Sequence, residues 1–205
     1  MLIDVNILNL KESTKLMRER LGDIAQIQFG LYSKPTEDGN VAYLQVKHFD
    51  DSGSLIDKVD SFLEINEKSE AHLLEAGNIL LVGKGARNFA WTYESKYGPA
   101  VASSIFFVIK PDPSKVIPEF LTTLFNLPQT HTYFQTLGAG SSIPSIRKSE
   151  LEAFIIMLPS LEMQQKAVEI KELHYQDIEI SKKILSEKQK LFQEVIKNII
   201  YTNHE

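Results

Sequence analysis

The division of this chain into two structural parts falls within the stretch Gly140-Ser-Ser-Ile-Pro-Ser-Ile-Arg-Lys-Ser-Glu-Leu-Glu-Ala-Phe-Ile-Ile-Met-Leu-Pro-Ser-Leu-Glu-Met-Gln-Gln-Lys166. Its middle, Ala153–Leu158, is a short apolar run closed by Pro159, which is typical of a buried strand. All ten glycines and all eight prolines of the chain lie at or before Pro159. Residues 161–205 therefore contain no helix breaker, and we predict one long helix or two stacked helices there.

The region before this boundary alternates short apolar runs with turn residues. Its strand candidates are enriched in β-branched and aromatic residues and are bounded by Gly, Pro or Asp. These candidates are Val41–Val46, Asn78–Val82, Val101–Ile109 and Ala153–Leu158. Two helices are predicted as well, Pro118–Phe125 with proline at its first position and Gln129–Leu137. The fold class that follows is α+β.

The length of 205 residues suits one ordinary domain, or one domain with an appendage. The chain contains no cysteine, which excludes a disulfide framework, a cysteine nucleophile and any cysteine-ligated metal. No apolar run approaches the roughly 20 residues of a membrane span. The first ten residues show no basic segment or cleavage site of a signal peptide. We therefore expect a soluble, cytoplasmic protein with no membrane partner.

The charge balance argues against a protein that binds nucleic acid through overall positive charge. The chain carries 22 basic and 27 acidic side chains, a net charge of −5 with neutral histidine. The acidic excess lies in residues 21–160. If this region contacts nucleic acid, its cations must cluster on one face and its acids must lie elsewhere. The acids in question include Asp50, Asp51, Glu64, Glu67 and Glu70.

An apolar stripe follows the predicted C-terminal helix. Ile178, Leu185, Phe192 and Ile199 are spaced by seven residues, Val195 widens the stripe, and charged residues occupy positions between them. A period of seven with charged flanks is typical of a helix that packs lengthwise on another helix. An amphipathic helix packed on its own domain would show a similar pattern. However, such a long segment, at ~1.5 Å per residue, exceeds the width of the domain before it, so we expect a coiled-coil partner.

The chain lacks the usual sequence signatures of catalysis. No phosphate-binding loop or nucleophile elbow is present, and the spacing of Gly83-Lys-Gly85 does not fit a nucleotide loop. The five histidines lie far apart, without a metal-binding pair, and each is predicted to lie at the surface. Solvated loop charges explain Asp50-Asp51 better than acid–base chemistry does. We therefore expect no catalytic centre and no metal site.

Two loop segments combine residue types that suit nucleic acid. The first, Gly83–Trp91, holds Lys84, Arg87 and Asn88. Lysine and arginine bind phosphate, arginine also binds guanine with two hydrogen bonds, and asparagine does the same with adenine. The alternative is a surface loop whose aromatic residues pack into the core.

The second segment, residues 138–148, combines glycines that permit close backbone approach with hydroxyl and cationic side chains that suit phosphate oxygens. Its candidates are Ser141, Ser142, Arg147 and Lys148. The alternative is a turn that leads into the next strand. Lys47 is a further candidate for DNA contact, and Lys34 and Trp91 are weaker candidates.

Five segments of the chain occur in an order known from one protein family. They are Leu21–Gly30, Ala42–Phe49, Leu74-Glu-Ala-Gly-Asn-Ile-Leu-Leu-Val-Gly-Lys-Gly85, Ala102–Phe106 and Gly140–Lys166. The chain thereby resembles the specificity (S) subunits of type I restriction–modification enzymes. The third segment is similar to the family stretch "L-x-x-G-D-I-L-L…G", with Asn78 in place of the usual aspartate. The fifth is similar to the pattern "G-S-x-x-P-x-I-x-x-x-x-L-x-x-x-x-I-x-x-P-x-x-x-x-Q".

The resemblance implies a division of labour among subunits. A typical S subunit has no catalysis and carries two target recognition domains, each of which reads half of a split DNA site. The helices that follow these domains pack antiparallel as a coiled-coil spacer. Separate methyltransferase (M) subunits bring S-adenosylmethionine and flip the target adenine out of the duplex. Motor-nuclease (R) subunits cleave unmethylated DNA, and no cofactor is expected on this chain.

With one domain and one helix, the chain looks like a half-length S subunit. The implied parts are a lead-in segment (1–20), a target recognition domain (21–160) and a spacer helix (161–205). The domain is expected to be mixed, strongly twisted and β-rich, with a few short helices. The stripe of Ile178, Leu185, Phe192, Val195 and Ile199 would pair with a second copy or another half S subunit. In a homodimer, two-fold symmetry predicts an interrupted palindrome.

Two alternatives remain open from the sequence. The chain could be an orphan or truncated S-like cassette, which co-purification with an M subunit would distinguish. It could instead be a protein-interaction module built on the C-terminal helix, which a steep salt dependence of duplex binding would exclude. A methyltransferase assay on the isolated chain should show no activity.

Overall fold

The computed structural model of this protein describes residues 16–56, 58–85, 87–137 and 144–201. Within these residues, nine strands form three sheets, and five short α-helices precede one long helix. The strands are β1 (Met17–Arg20), β2 (Ala25–Phe29), β3 (Val41–Leu44), β4 (Phe62–Leu63), β5 (Ile79–Val82), β6 (Ala90–Thr92), β7 (Ala100–Ala102), β8 (Phe106–Pro111) and β9 (Ile155–Leu158). The helices are α1 (Leu21–Ile24), α2 (Glu67–Glu70), α3 (Pro118–Phe125), α4 (Pro128–Leu137), α5 (Lys148–Glu152) and α6 (Leu161–Tyr201). The predicted α+β class is confirmed.

The largest sheet has four strands in the order β2-β8-β5-β6, with every neighbouring pair antiparallel. Both of its faces are buried. On β5, Ile79 and Leu81 point into one core cluster, whereas Leu80 and Val82 belong to another on the opposite face. This explains why β5 reads in the sequence as an unbroken apolar run, because a strand covered on both faces has no polar alternate positions.

The second sheet has three strands in the order β4-β3-β7, and β3 is parallel to β7. The strands of this sheet correct one prediction. The expected strand Val101–Ile109 is two strands, β7 in this sheet and β8 in the four-stranded sheet. The chain turns at Ser103, whose carbonyl accepts a hydrogen bond from the N–H of Phe106 at 3.0 Å. Residues on both sides of this turn are buried, so apolar content alone does not reveal the change of sheet.

The third sheet pairs β1 with β9 in antiparallel orientation. After β9, a single side chain holds the start of α6 in place. Gln164, in the first turn of α6, is fully buried. Its Oε1 accepts a hydrogen bond from the N–H of Ile117 at 2.8 Å. Its Nε2 donates to the carbonyls of Lys115 and Pro159 at 3.1 and 2.9 Å. Because Ile117 is the residue before α3, Gln164 satisfies a backbone donor at the start of that helix.

The chain divides into two compact units, one that ends at Gln165 and one that begins at Lys166. The second unit consists of the greater part of α6, a single 41-residue helix, so one helix rather than two follows β9. Along it Leu185, Phe192 and Ile199 are each more than half exposed. No helix in the described part of the chain has both the length and the apolar character needed to cross a bilayer. The functional assignment of residues 1–20, 21–160 and 161–205 stays a prediction.

Candidate nucleic-acid interface

One end of the four-stranded sheet gathers the loops that the sequence singled out. β2 and β5 end there, whereas β6 and β8 begin there, because neighbouring strands are antiparallel. We call this end the loop edge. It carries the β5–β6 loop (residues 83–89), the turn before β8 (residues 103–105) and the residues that follow β2.

The structure joins two segments that the sequence proposed separately. Lys84 and Ser145 form an antiparallel bridge. On either side of it, the N–H of Gly85 donates to the carbonyl of Pro144, and the N–H of Ile146 donates to the carbonyl of Gly83, each at 2.9 Å. The loop after β5 is thereby paired with the backbone that leads into α5.

Two cations lie close to this pairing. Lys84 is part of the bridge, and Arg147 follows the buried Ile146. Both side chains are exposed, and neither forms an ion pair with another residue that the structure describes. Two exposed cationic residues 63 positions apart in sequence therefore lie close to the same backbone pairing.

Glycine at position 83 is required by the packing of the loop edge. A Cβ atom there would lie 2.4 Å from Cε2 of Phe107, whose buried ring covers this backbone. The N–H of Gly83 also donates to the carbonyl of Ile105 at 2.9 Å. Glycine thus lets the chain leave β5 against the ring of Phe107 and still pair with both neighbouring segments. This accounts for Gly83 without a nucleotide-binding role.

Arg87 is held within the protein instead of projecting freely. Its guanidinium donates to the carbonyl of Phe49 at 3.3 Å and also to the carbonyl of Asp50. It lies 3.8 Å from a carboxylate oxygen of Asp51 and 5.5 Å from the ring centroid of Phe89. This geometry links the β5–β6 loop to the turn that begins at Asp50. A role in reading guanine would require these contacts to be exchanged for contacts with a base.

A DNA-binding surface requires the acidic residues to lie away from the candidate cations, but Asp50 and Asp51 do not. Both are exposed beside Arg87. Asp50 Oδ1 accepts hydrogen bonds from the hydroxyl and N–H of Ser52 at 2.6 and 2.9 Å and from the N–H of Ser54 at 2.9 Å. These bonds hold the pKa of the Asp50 carboxyl below its usual range, and the bond from the Ser52 hydroxyl has the largest effect. The turn therefore offsets the positive charge of Arg87.

Asn88 and the aromatic residues of the loop contact their own domain. Nδ2 of Asn88 donates to the carbonyl of Val82 at 3.1 Å, across the β5–β6 hairpin. Phe89 is buried and Trp91 half-buried, with ring centroids 5.1 and 5.4 Å from that of Phe49. The expected alternative, in which the aromatic residues pack into the core, therefore holds for this loop even though Lys84 is exposed.

Lys47 belongs to a separate cluster around Asp60. Lys47 Nζ and His48 Nε2 lie 2.6 and 2.8 Å from the same carboxylate oxygen of Asp60. His48 is buried, which corrects the prediction that every histidine lies at the surface. Its Nδ1 accepts from the N–H of Gln45 at 3.0 Å, so Nε2 carries the proton and donates to Asp60. The bond from Lys47, followed by those from His48 and Ser61, holds the Asp60 pKa well below its usual range.

The remaining candidates lie in other parts of the structure or outside the described residues. Lys148 opens α5, and its Nζ lies 3.5 Å from Oε1 of Glu152, one helical turn later. Lys34 is exposed and lines a groove of about 230 Å³ that Lys68 and Glu64 also line. Ser141 and Ser142 lie outside the described residues. The loop edge therefore brings together Lys84, Arg87, Asn88 and Arg147, whereas Lys47 is paired with Asp60 and Lys34 lines the groove with Lys68 and Glu64.

Sequence reasoning missed two exposed apolar residues at the loop edge. Phe29 ends β2, and Ile105 precedes β8. Phe29 continues the alternation of the buried Ala25 and Ile27, and Ile105 adjoins the buried Phe106, so both patterns favour burial. Composition therefore gave no signal that these two side chains reach the surface.

Comparison with known proteins agrees with the architecture. Residues 15–188 match the family model of the type I restriction modification DNA specificity domain. The solved structure of the HsdS subunit from Thermoanaerobacter tengcongensis is similar, with 16% identity and a TM-score of 0.63 over 89% of this chain and 44% of that one. The S subunit of a type I restriction-modification system from M. genitalium gives 13% identity and a TM-score of 0.60 over 95% and 48%.

A third solved chain comes from a study of complex assembly and conformational transition of the type I R-M system. It is 17% identical, with a TM-score of 0.58 over 88% of this chain and 43% of that one. The present chain thus spans less than half the length of each of these three chains. No curated protein matches it. The solved structures support the fold, and the family model covers most of the sequence; this chain belongs to the family of type I restriction modification DNA specificity domains.

Proposed function

We propose that this chain is the sequence-reading component of a type I restriction–modification system and that its loop edge contacts one half of a bipartite duplex site. The observation that carries the proposal is the pairing of Lys84 with Ser145, which brings Arg147, two residues after Ser145, to the same loop edge as Lys84. Loops at the end of a rigid sheet are the usual location of binding residues. Lysine and arginine side chains in such loops suit phosphates and the guanine edge.

The electrostatics imply that the chain alone binds DNA weakly. Lys47, Arg87 and Lys148 all lie within 4 Å of a carboxylate oxygen. At the β5–β6 loop and the segment paired with it, Lys84 and Arg147 are therefore the main cations for phosphate contact. Each neutralised phosphate contributes ~0.9 to the slope of log K against log salt, so two contacts give a slope of about −2. We propose that M subunits, which carry S-adenosylmethionine, dock on this chain and supply further phosphate contacts. R subunits would join this assembly for cleavage.

The long helix supports a second part of the proposal, namely pairing with another helix. Helices in proteins gain most of their stability from packing an apolar face, and exposed apolar stripes mark interaction surfaces. The stripe of Ile178, Leu185, Phe192, Val195 and Ile199 has its last four members exposed and Ile178 half-buried. Its partner would be a second copy of this chain or another half S subunit, and a homodimer would read an interrupted palindrome.

Binding of duplex DNA tests the first part. A preferred half-site is selected from randomised duplexes, and its affinity is measured by fluorescence anisotropy at several salt concentrations. We expect Lys84→Ala and Arg147→Ala each to weaken binding and to reduce the salt slope by about 1. Lys96→Ala is the matched control, because Lys96 is exposed, pairs with Glu94 at 2.8 Å and lies beyond the far end of β6.

Two outcomes would contradict this assignment. The chain would bind no duplex even at low salt, or Lys84→Ala would lose no more affinity than Lys96→Ala. The helix part has its own test, sedimentation velocity at micromolar concentration. A strict monomer that also fails to pair with another S-type chain would exclude the half-subunit proposal.

A further inference from the structure

The loop edge carries an apolar surface that phosphate contacts do not explain. Phe29, Ile105 and Tyr32, which we call the apolar tip, are 47%, 39% and 82% exposed. Large apolar side chains grouped on the surface of a domain indicate an interaction site. Phe29 ends β2 and Ile105 precedes β8, the strand paired with β2, whereas Tyr32 lies three residues beyond the end of β2.

Backbone pairing fixes the positions of two members of the apolar tip, and one of them, Ile105, lies beside the loop that carries Lys84. Phe29 lies directly opposite Phe107 in the β2–β8 pair, with ring centroids 4.9 Å apart, and Phe107 is buried. The carbonyl of Ile105 accepts from the N–H of Gly83 at 2.9 Å, one residue before Lys84. The loop edge therefore presents an exposed branched aliphatic side chain close to an exposed cation, and an exposed aromatic ring at the end of β2.

This combination of an apolar surface and a cation suits the major groove of duplex DNA. Thymine is the base that presents an apolar group there, its C5 methyl, and apolar side chains read that methyl by direct contact. A neighbouring lysine can bind phosphate without regard to sequence. We infer that the apolar tip recognises the methyl group of a thymine in the half-site and that Ile105 makes this contact. The inference rests on the proposed function, because it requires the loop edge to face DNA.

Removal of the methyl group alone tests this contact. The duplex is the half-site selected by the wild-type chain, in which each thymine is replaced in turn by deoxyuridine. At one position we expect wild-type binding to weaken about fourfold, the factor that corresponds to burial of one methyl group. Ile105→Ala should bind the thymine and deoxyuridine duplexes equally. The two changes, Ile105→Ala in the protein and thymine to deoxyuridine in the DNA, form a double-mutant cycle. The free energy of the methyl contact is the amount by which their separate effects on binding fail to add.

A matched variant controls for loss of an exposed isoleucine in general. Ile65 is half-exposed and follows β4 in the three-stranded sheet, so Ile65→Ala should keep the fourfold discrimination of the wild type. Tryptophan fluorescence during urea unfolding checks that both variants fold, since Ile105 is already partly exposed.

The outcomes separate this inference from the proposed function. Sequence-specific binding with equal affinity for thymine and deoxyuridine at every position overturns the inference alone, as does discrimination that persists in Ile105→Ala. A selected half-site with no A·T pair has the same consequence. Failure to bind any duplex refutes the proposed function, and with it the inference.

Discussion

Replacement of Gln164 by alanine removes the side chain that connects the first turn of α6 to the segment before α3. The change leaves three backbone groups without their present partner, namely the N–H of Ile117 and the carbonyls of Lys115 and Pro159. Because Gln164 is fully buried, water does not replace these bonds without rearrangement of the surrounding residues.

The expected loss follows from the number of bonds. A hydrogen bond contributes about 0.5–1.5 kcal/mol net, and a buried group left without a partner costs about 1–3 kcal/mol. The three groups are only partly buried, so we expect a total of about 3 kcal/mol. In a domain of this size, 1 kcal/mol corresponds to ~2–4 °C in Tm, and the variant should therefore melt about 6–12 °C lower.

The single tryptophan provides the assay. Trp91 is half-buried, with its ring centroid 5.4 Å from that of Phe49, so its fluorescence follows unfolding of the unit that contains Gln164. Urea titrations give the free energy of unfolding. Gln135→Ala is the matched control, since Gln135 is an exposed glutamine of α4 in the same unit, and its loss should stay within about 0.5 kcal/mol.

A second variant tests the direction of the bonds. Gln164→Glu keeps an acceptor for the N–H of Ile117 but removes the donor for the two carbonyls, and at pH 7 it places a buried carboxylate beside them. It should therefore be at least as unstable as Gln164→Ala. Equal stability of Gln164→Ala and Gln135→Ala, or a Gln164→Glu variant as stable as wild type, would refute the reasoning.

Further predictions concern the helix and the Asp60 cluster. Leu185→Asp, which places a charge in the exposed stripe, should abolish association in sedimentation velocity without altering Trp91 fluorescence; an unchanged dimer would exclude this stripe as the interface. Lys188 is one heptad before Val195, so Lys188→Leu should tighten association at least tenfold, whereas no change would place position 188 outside the interface. The low Asp60 pKa implies stabilisation that is complete above the ordinary aspartate pKa of about 3.9 and is lost as the pH falls. The urea midpoints of wild type and Asp60→Asn should therefore differ at pH 7, and the difference should begin to shrink only as the pH falls below about 4. A difference that grows on acidification would contradict this.

The sequence by itself determined the local elements and the family. The absence of glycine and proline after Pro159 predicted the long helix, because helix formation depends on residues close together in the chain. Short β-branched runs such as Asn78–Val82 located buried strands. The resemblance to S subunits rested on motifs in order along the chain, and the family model confirms it. The candidate residues Lys84 and Arg147 were also available from residue type alone.

Only the tertiary structure decided which of these elements meet. The pairing of Lys84 with Ser145, the change of sheet at Ser103 and the return of Arg87 to the carbonyls of Phe49 and Asp50 all join segments distant in sequence. Such contacts depend on hydrogen bonds and packing that local periodicity does not encode. Burial is equally non-local: His48 is buried and Ile105 reaches the surface because of the neighbours that the fold supplies. Residue type could therefore nominate the contact residues, but the sheet order decided which of them share a surface.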